Sequence, residues 1–258
     1  MNPAERLLAI YDKFIENRPD VVASQVWAVV FDLDVGSPSL DDEVTDCLVA
    51  LRTQIDFTRR LLGVKYSVPE ELLNPGLIRL RDAAAPRVMN QAWSTLRSGI
   101  QEPACRQSFL WAGWVLRAET EAEIPEEELT ALHSEVAALE EALKAAELSE
   151  YLRGFIGNQV QVIKDALRVY RVQGVKPIND ALTRVAGAYT VERSRVQKEM
   201  VAAQPEAQGL FQKVTALVGK TAEVCDAVEK IKTGYETASG IAAKVGPVLL
   251  PFVGKMLG

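Results

Sequence analysis

The last 49 residues of this 258-residue chain carry an unbroken pattern of mostly apolar positions at steps of three and four. Such spacing predicts one helix with an apolar stripe along one face, as in paired helices. The positions are Leu210, Val214, Leu217, Thr221, Val224, Val228, Ile231, Tyr235, Ala238, Ala242, Val245, Leu249, Phe252 and Met256. We call seven of them the helix-pairing seam: Leu210, Val214, Leu217, Val224, Val228, Ile231 and Tyr235. Because such a stripe must be covered, the pattern predicts contact with another helix.

The end of this pattern, residues 240–258, differs in charge from the rest of the chain. It contains no acidic residue and only two charged ones, Lys244 and Lys255, among glycines, prolines and bulky apolar side chains. In composition residues 248–258 resemble short membrane-active peptides of the temporin type. The resemblance implies that lysines meet lipid headgroups while apolar side chains enter the bilayer surface. Those apolar side chains are Leu249, Leu250, Phe252, Val253, Met256 and Leu257. Burial of this tail in its own bundle or a neighbouring subunit is the alternative.

Composition restricts the class of partner. The chain is 48% apolar and carries a formal net charge of −6, which predicts a folded protein and argues against nucleic-acid binding, since phosphate contacts need a basic face. Cys47, Cys105 and Cys225 are odd in number and widely spaced, so we expect buried thiols rather than disulfides or a zinc site.

The sequence predicts a protein made in the cytoplasm and located there, either free or peripheral at the inner face of a membrane. Glu5 and Arg6 interrupt any apolar signal core at the start. The longest apolar run, residues 245–253, is broken by Pro247 and Pro251 and is too short to span a bilayer.

The fold class predicted is all-α. Asn2-Pro3 is typical of a helix start, and Ser39 with Asp42 resembles a capping box that opens a helix ended by Gly63. We expect Pro69, the Asn74-Pro75-Gly76 sequence and Pro86 to break the following stretch into short pieces. The apolar run 26–31 is interpreted as helix because no second strand is available to pair with it. All four tryptophans lie in the first half and predict an aromatic core there.

Charge organises the second half. Residues 118–150 contain eleven acidic side chains and one lysine, whereas residues 151–203 contain nine basic and four acidic ones. Opposite charge on consecutive amphipathic segments favours helices that lie side by side. Lys176-Pro177 and Gln204-Pro205 are the expected corners. We therefore predict a compact N-terminal helical domain over 1–117, an acidic hinge over 118–128, and a C-terminal domain over 129–258 that is an antiparallel long-helix bundle or coiled-coil arm.

One short motif raises the possibility of catalysis. Phe31-Asp32-Leu33-Asp34 resembles the first motif of the haloacid dehalogenase phosphatases, which implies Asp32 as nucleophile, Asp34 as acid or base, and magnesium. Val35-Gly36-Ser37 departs from the Gly-Thr-Leu that normally follows, and no later strand ends in an acidic pair. The interpretation preferred is a helix that ends in solvated aspartates.

Three further features resemble sites. Gly219-Lys220-Thr221 matches the end of a phosphate-binding loop, but Val214 stands where the first glycine is needed, inside a predicted continuous helix. His133 is the only histidine and is expected to be solvated. Asp41, Asp42, Glu43 and Asp46 are interpreted as the favourable acidic first turn of a helix rather than a cation site. No catalytic residue, cofactor or metal is therefore predicted.

The function predicted is non-enzymatic. We expect a helical protein that self-associates or binds a helical partner through its C-terminal amphipathic helix. Membrane lipid is the further partner considered, and the most specific version of this hypothesis is a pore-forming or membrane-perturbing effector. The alternatives are a structural or adaptor protein whose tail stays buried and, last, a phosphatase using Asp32 and Asp34.

Overall fold

A computed structural model describes residues 1–16 and 19–233, and for residues 202 and 228–233 it describes the backbone only. Within this part the protein is all-α, as predicted, and its only β pairing is an isolated bridge between Val22 and Ala92. The α-helices are α1 Pro3–Ile15, α2 Ala23–Val30, α3 Leu40–Tyr66, α4 Glu70–Ala83, α5 Trp93–Ile100, α6 Pro103–Val115, α7 Glu126–Ala145, α8 Glu150–Arg168, α9 Tyr170–Gln173, α10 Lys176–Val191, α11 Arg193–Ala202 and α12 Pro205–Thr233. Short 3₁₀ helices cover Pro86–Val88 and Leu116–Glu119.

Contacts between residues divide the chain into two compact units. The first consists of Met1–Glu121 together with Arg171–Gly174, and the second of Ala122–Tyr170 together with Val175–Gly258. Direct contacts connect Arg171–Gly174 to the rest of the first unit. Gln173 Nε2 donates to the carbonyl oxygen of Ala50 at 3.0 Å, and Gly174, at φ +72°, lies against Arg6 and Glu121. The boundaries 1–117, 118–128 and 129–258 remain a prediction.

An aromatic core organises the first unit around α1. This helix begins as predicted at Asn2-Pro3, where the Asn2 side chain and Glu5 form a complete capping box. Trp27 stacks on Phe14 at a ring-centroid distance of 4.2 Å. Trp93 donates its indole N–H to the carbonyl oxygen of Phe14 at 2.9 Å. The run 26–31 is helical as expected, since α2 covers it up to Val30.

Three sequence predictions in the first unit are wrong. Ser39 precedes α3, but its hydroxyl bonds the Glu43 carboxylate at 2.7 Å instead of a backbone N–H, so no capping box forms. Gly63 does not end α3, which continues to Tyr66 and stops before the left-handed residue Ser67 at φ 52°. The Asn-Pro-Gly sequence is no turn either, because α4 runs through Pro75.

Four helices of the second unit, α7, α8, α10 and α12, pack around one apolar core. The predicted neighbourhood of acidic and basic segments is confirmed for α7 and α8: Lys164 pairs with Glu140 at 2.7 Å, and Gly157 lies beside Leu143, so the two helices run antiparallel. The expected corners are also confirmed, because α10 begins at Lys176-Pro177 and α12 begins at Pro205.

Candidate interaction surfaces

The described part of the helix-pairing seam lies inside its own unit. Leu210, Val214 and Leu217 are buried, and Val224 is partly buried against the same core. The helices that cover them are α7, α8 and α10. Helix α12 is therefore anchored by its own bundle, and these three side chains offer no surface to another molecule. For Val228 and Ile231 only the backbone is described, and Tyr235 lies outside the described residues.

Polar side chains on α12 are satisfied within the bundle. Thr215 and Thr221 are buried and donate their hydroxyls to carbonyl oxygens of their own helix at 3.0 and 2.7 Å. Lys220 Nζ donates to Glu135 Oε1 on α7 at 2.6 Å, and this hydrogen bond raises the pKa of Lys220. The Gly219-Lys220-Thr221 sequence thus lies within a continuous helix, as predicted, and its lysine binds a carboxylate of the protein.

Eight residues of the tail are the predicted lipid or partner contacts. All of them fall beyond Thr233, outside the described residues. They are Lys244, Leu249, Leu250, Phe252, Val253, Lys255, Met256 and Leu257.

A surface groove of about 550 Å³ lies between α8 and α10, and sequence reasoning missed it. Gly154 on α8 and Gly187 on α10 both line it, and a Cβ atom on either glycine would have no contact within 4 Å. Apolar side chains supply much of the remaining lining, including Phe155, Ala188 and Val191, of which Val191 is 81% exposed. We call this depression the α8–α10 groove. Its shape follows from two glycines that leave space where side chains would stand.

One end of the α8–α10 groove carries acidic groups. Glu150 and Glu192 line it, and Tyr151 donates its hydroxyl to Glu192 at 3.0 Å. Burial, together with this hydrogen bond, raises the pKa of Tyr151 to about 12, so the phenol is neutral at physiological pH. The guanidinium of Arg195 lies over the Tyr151 ring, 3.9 Å from its centroid. The groove therefore combines an apolar lining with carboxylates at its edge.

Two of the four tryptophans lie on the surface and take no part in the predicted aromatic core. Trp27 and Trp93 are buried, whereas Trp111 is 40% and Trp114 is 62% exposed. The reason is the direction of the side chains on α6, whose buried positions are Cys105, Ser108, Phe109, Ala112 and Gly113. The opposite face of α6 carries Trp111, Trp114 and Leu110, of which Leu110 is 41% exposed. Arg117 lies over the Trp114 ring, 4.5 Å from its centroid.

Asp32 lies between two cations. Its carboxylate is 3.3 Å from Lys13 Nζ and 3.4 Å from an Arg171 guanidinium nitrogen, and all three side chains are about half exposed. Asp32 follows α2 in a left-handed conformation at φ 57°, and Asp34 accepts the backbone N–H of Gly36. The segment is a helix end followed by a turn, and the strand that precedes this motif in the phosphatases is replaced by α2.

The remaining candidate residues lie in helices or in the protein core. Asp41, Asp42 and Glu43 form the acidic first turn of α3, and His133 is exposed on α7. The three cysteines are buried, as predicted. Throughout residues 1–16 and 19–233, no three His, Cys, Asp or Glu side chains come together as a metal site.

These observations define an all-α protein with a helical bundle in its second unit. Comparison of the chain with protein-family models, curated proteins and solved structures found no match. Of the helices in the described part of the chain, none has both the length and the apolar character needed to cross a bilayer.

Proposed function

We propose that this protein is a non-enzymatic helical protein that binds a lipid surface through residues 240–258, the segment that follows α12. The observation that supports the proposal is the continuity of one apolar stripe. Its first part, at Leu210, Val214 and Leu217, fixes α12 in the bundle, and the same spacing continues to Met256. In this proposal the bundle anchors α12, and the apolar, acid-free segment follows α12 in the sequence.

The physical driving force comes from the tail's own side chains. Moving a large apolar side chain out of water is worth about 1.5 to 3 kcal/mol, so several such residues exceed the cost of ordering a short segment. Leu249, Leu250 and Phe252 supply the bulk of this apolar surface. Lys244 and Lys255 add attraction to anionic headgroups of about 1 kcal/mol each. Pro247 and Pro251 favour a segment that lies in the headgroup region over one that crosses the bilayer.

The anchoring of α12 has a consequence for mechanism. Because Leu210, Val214 and Leu217 are covered by α7, α8 and α10, lipid binding through the tail does not require the bundle to open. The salt bridge between Lys220 and Glu135 fastens the middle of α12 to α7 as well. We therefore expect the second unit to stay folded when the tail binds.

Flotation with vesicles containing equal parts of phosphatidylcholine and phosphatidylglycerol tests the proposal. The variant Leu249→Asp with Phe252→Asp should lose vesicle binding by at least about tenfold, because two carboxylates enter the proposed contact surface. The matched control is Val64→Asp with Val201→Asp, which adds the same charges at an 80% exposed position of α3 and an 87% exposed position of α11. Equal binding by the tail variant and the wild-type protein would contradict the proposal.

The same variants distinguish lipid binding from the alternative function, that of an adaptor protein. If the tail packs permanently against protein, Leu249→Asp with Phe252→Asp should change the oligomeric state or the unfolding temperature in the absence of lipid, while vesicle binding is absent from every form. Sedimentation velocity and thermal unfolding measure these two properties.

A further inference from the structure

We propose that the α8–α10 groove is the docking site for the end of this same chain, residues 248–257, when no lipid is present. The inference rests on the proposed function, because it assigns a sheltered state to the segment that binds lipid. Groove and tail then form a switch in which a membrane competes with the bundle for one apolar segment.

The shape of the groove suits a short helix or an equivalent compact segment. Its lining on α8 extends from Glu150 to Gln159, a length of about 15 Å at the helical rise, and ten helical residues have the same length. Gly154 and Gly187 leave the space above them open. Absence of side chains at such positions allows the close approach of another backbone. Residues 248–257 contribute seven bulky apolar side chains to fill an apolar lining.

The length of the intervening chain permits this contact. Tyr189 touches Phe155 of the groove lining on one side and Phe211 of α12 on the other, with ring-centroid distances of 5.1 and 5.6 Å. Phe211 is therefore at the level of the groove, and Thr233 is about 33 Å further along α12. Residues 234–247 span up to about 46 Å when extended, enough to return this distance and pass one helix diameter. Gly234 and Gly240 permit the necessary change of direction.

Charge favours the chain's own tail as the occupant. The lining includes the carboxylates of Glu150 and Glu192 and no basic residue, with Arg195 engaged on the Tyr151 ring nearby. The docked segment 248–257 carries Lys255 and no acidic residue, and Lys244 lies in the connecting chain, in a protein whose net charge is −6. A second copy of the chain would bring the same tail, but a tail tethered to its own bundle competes at an effective concentration of about millimolar.

Photo-crosslinking of the full chain tests the contact directly. Val191→p-benzoylphenylalanine places the probe at the groove wall, and Val64→p-benzoylphenylalanine is the control because its position is 80% exposed against 81% for Val191. In the absence of lipid the probe at 191 should crosslink to residues 246–258 of the same molecule, and added anionic vesicles should abolish these crosslinks. The probe at 64 should give none. Crosslinks only between molecules, or none to the tail, would overturn the proposal.

A second variant, Gly154→Leu with Gly187→Leu, places two apolar side chains in the groove. A Cβ atom at either position has no contact within 4 Å, and leucine favours a helix over glycine. The matched control is Gly63→Leu with Gly99→Leu, two helical glycines of the first unit that also have no Cβ contact within 4 Å. Filling the groove should remove the lipid-free crosslinks from residue 191 and strengthen vesicle binding by about tenfold, as expected when a competing state is lost. Unchanged crosslinks would overturn the docking site, as would unchanged vesicle binding in the variant when the wild-type protein does bind vesicles.

The two proposals fail in different ways. Tail crosslinks to residue 191 in a protein that binds no vesicles would refute the lipid function and leave the docking site standing. Vesicle binding that depends on Leu249 and Phe252, without any crosslink from residue 191 to the tail, would refute the docking site alone.

Discussion

Gly76 illustrates how one missing methyl group positions two helices. A Cβ atom at this residue of α4 would lie 2.7 Å from the carbonyl oxygen of Cys105 and 2.9 Å from Cβ of Ser108, both on α6. The neighbouring Pro75 offers its carbonyl oxygen to the Cys105 thiol, 3.0 Å away. The two residues that break helices in isolation thus form the contact between α4 and α6.

We predict that Gly76→Ala destabilises the first unit by about 1 to 3 kcal/mol, because the added carbon meets backbone that cannot move away easily. The comparison variant is Gly63→Ala, also inside a helix, where a Cβ atom has no contact within 4 Å and alanine should stabilise by up to about 1 kcal/mol. Urea unfolding of both variants measures the difference. A stabilising effect at both positions would show that α4 and α6 are not in this close contact.

These glycines also explain which local predictions failed. Sequence rules treat Gly63 and the Asn74-Pro75-Gly76 sequence as helix ends because local preference is all they consider. In the fold, the last turn of α3 is held by Lys65 and Tyr66, whose side chains both bond the Glu119 carboxylate. Contacts between residues 53 or more positions apart override the local preference, and a single sequence does not reveal them.

At the scale of elements, helix type and order were predictable, but the direction of exposed faces was less so. The apolar stripes of α7 and α10 are buried as their spacing indicates, with Leu132 and Leu182 fully covered. Helix α6 is apolar on two faces, so its composition alone did not distinguish Phe109, which is buried, from Trp111. The α8–α10 groove left only a weak signal, namely Gly154 and Gly187 inside otherwise regular helical patterns.

The seam on α12 makes a prediction at this scale. Leu217→Ala should lower the unfolding free energy of the second unit by about 2 to 5 kcal/mol, since Leu217 is 1% exposed and its truncation leaves a cavity. Val201→Ala on α11, at 87% exposure, should change it by less than about 0.5 kcal/mol. Chemical unfolding followed by circular dichroism measures both. An unchanged stability in Leu217→Ala would mean that the seam is not part of the bundle core.

For the whole molecule, the balance of charge bears on the proposed contact between the tail and a membrane. The chain carries −6 overall, so an anionic surface repels the protein as a body while Lys244 and Lys255 attract it locally. Because screening confines each effect to about 10 Å at ordinary ionic strength, the lysines nearest the surface should dominate once the tail is in contact. This charge contrast could be predicted from the sequence alone. The burial of Leu210, Val214 and Leu217 in the bundle that precedes the tail could be seen only in the structure.

This contrast predicts a lipid-dependent effect of the two tail lysines. Lys244→Gln with Lys255→Gln should weaken binding to anionic vesicles by about tenfold or more, at roughly 1 kcal/mol per lysine, and leave binding to neutral phosphatidylcholine vesicles unchanged. Lys198→Gln with Lys213→Gln removes the same charge from exposed positions on α11 and α12 and should have a much smaller effect. Flotation at low and high salt measures all three proteins, and the difference between them should shrink as salt is added. If the control pair weakens binding as much as the tail pair does, the interaction depends on total charge, and the tail is not the contact surface.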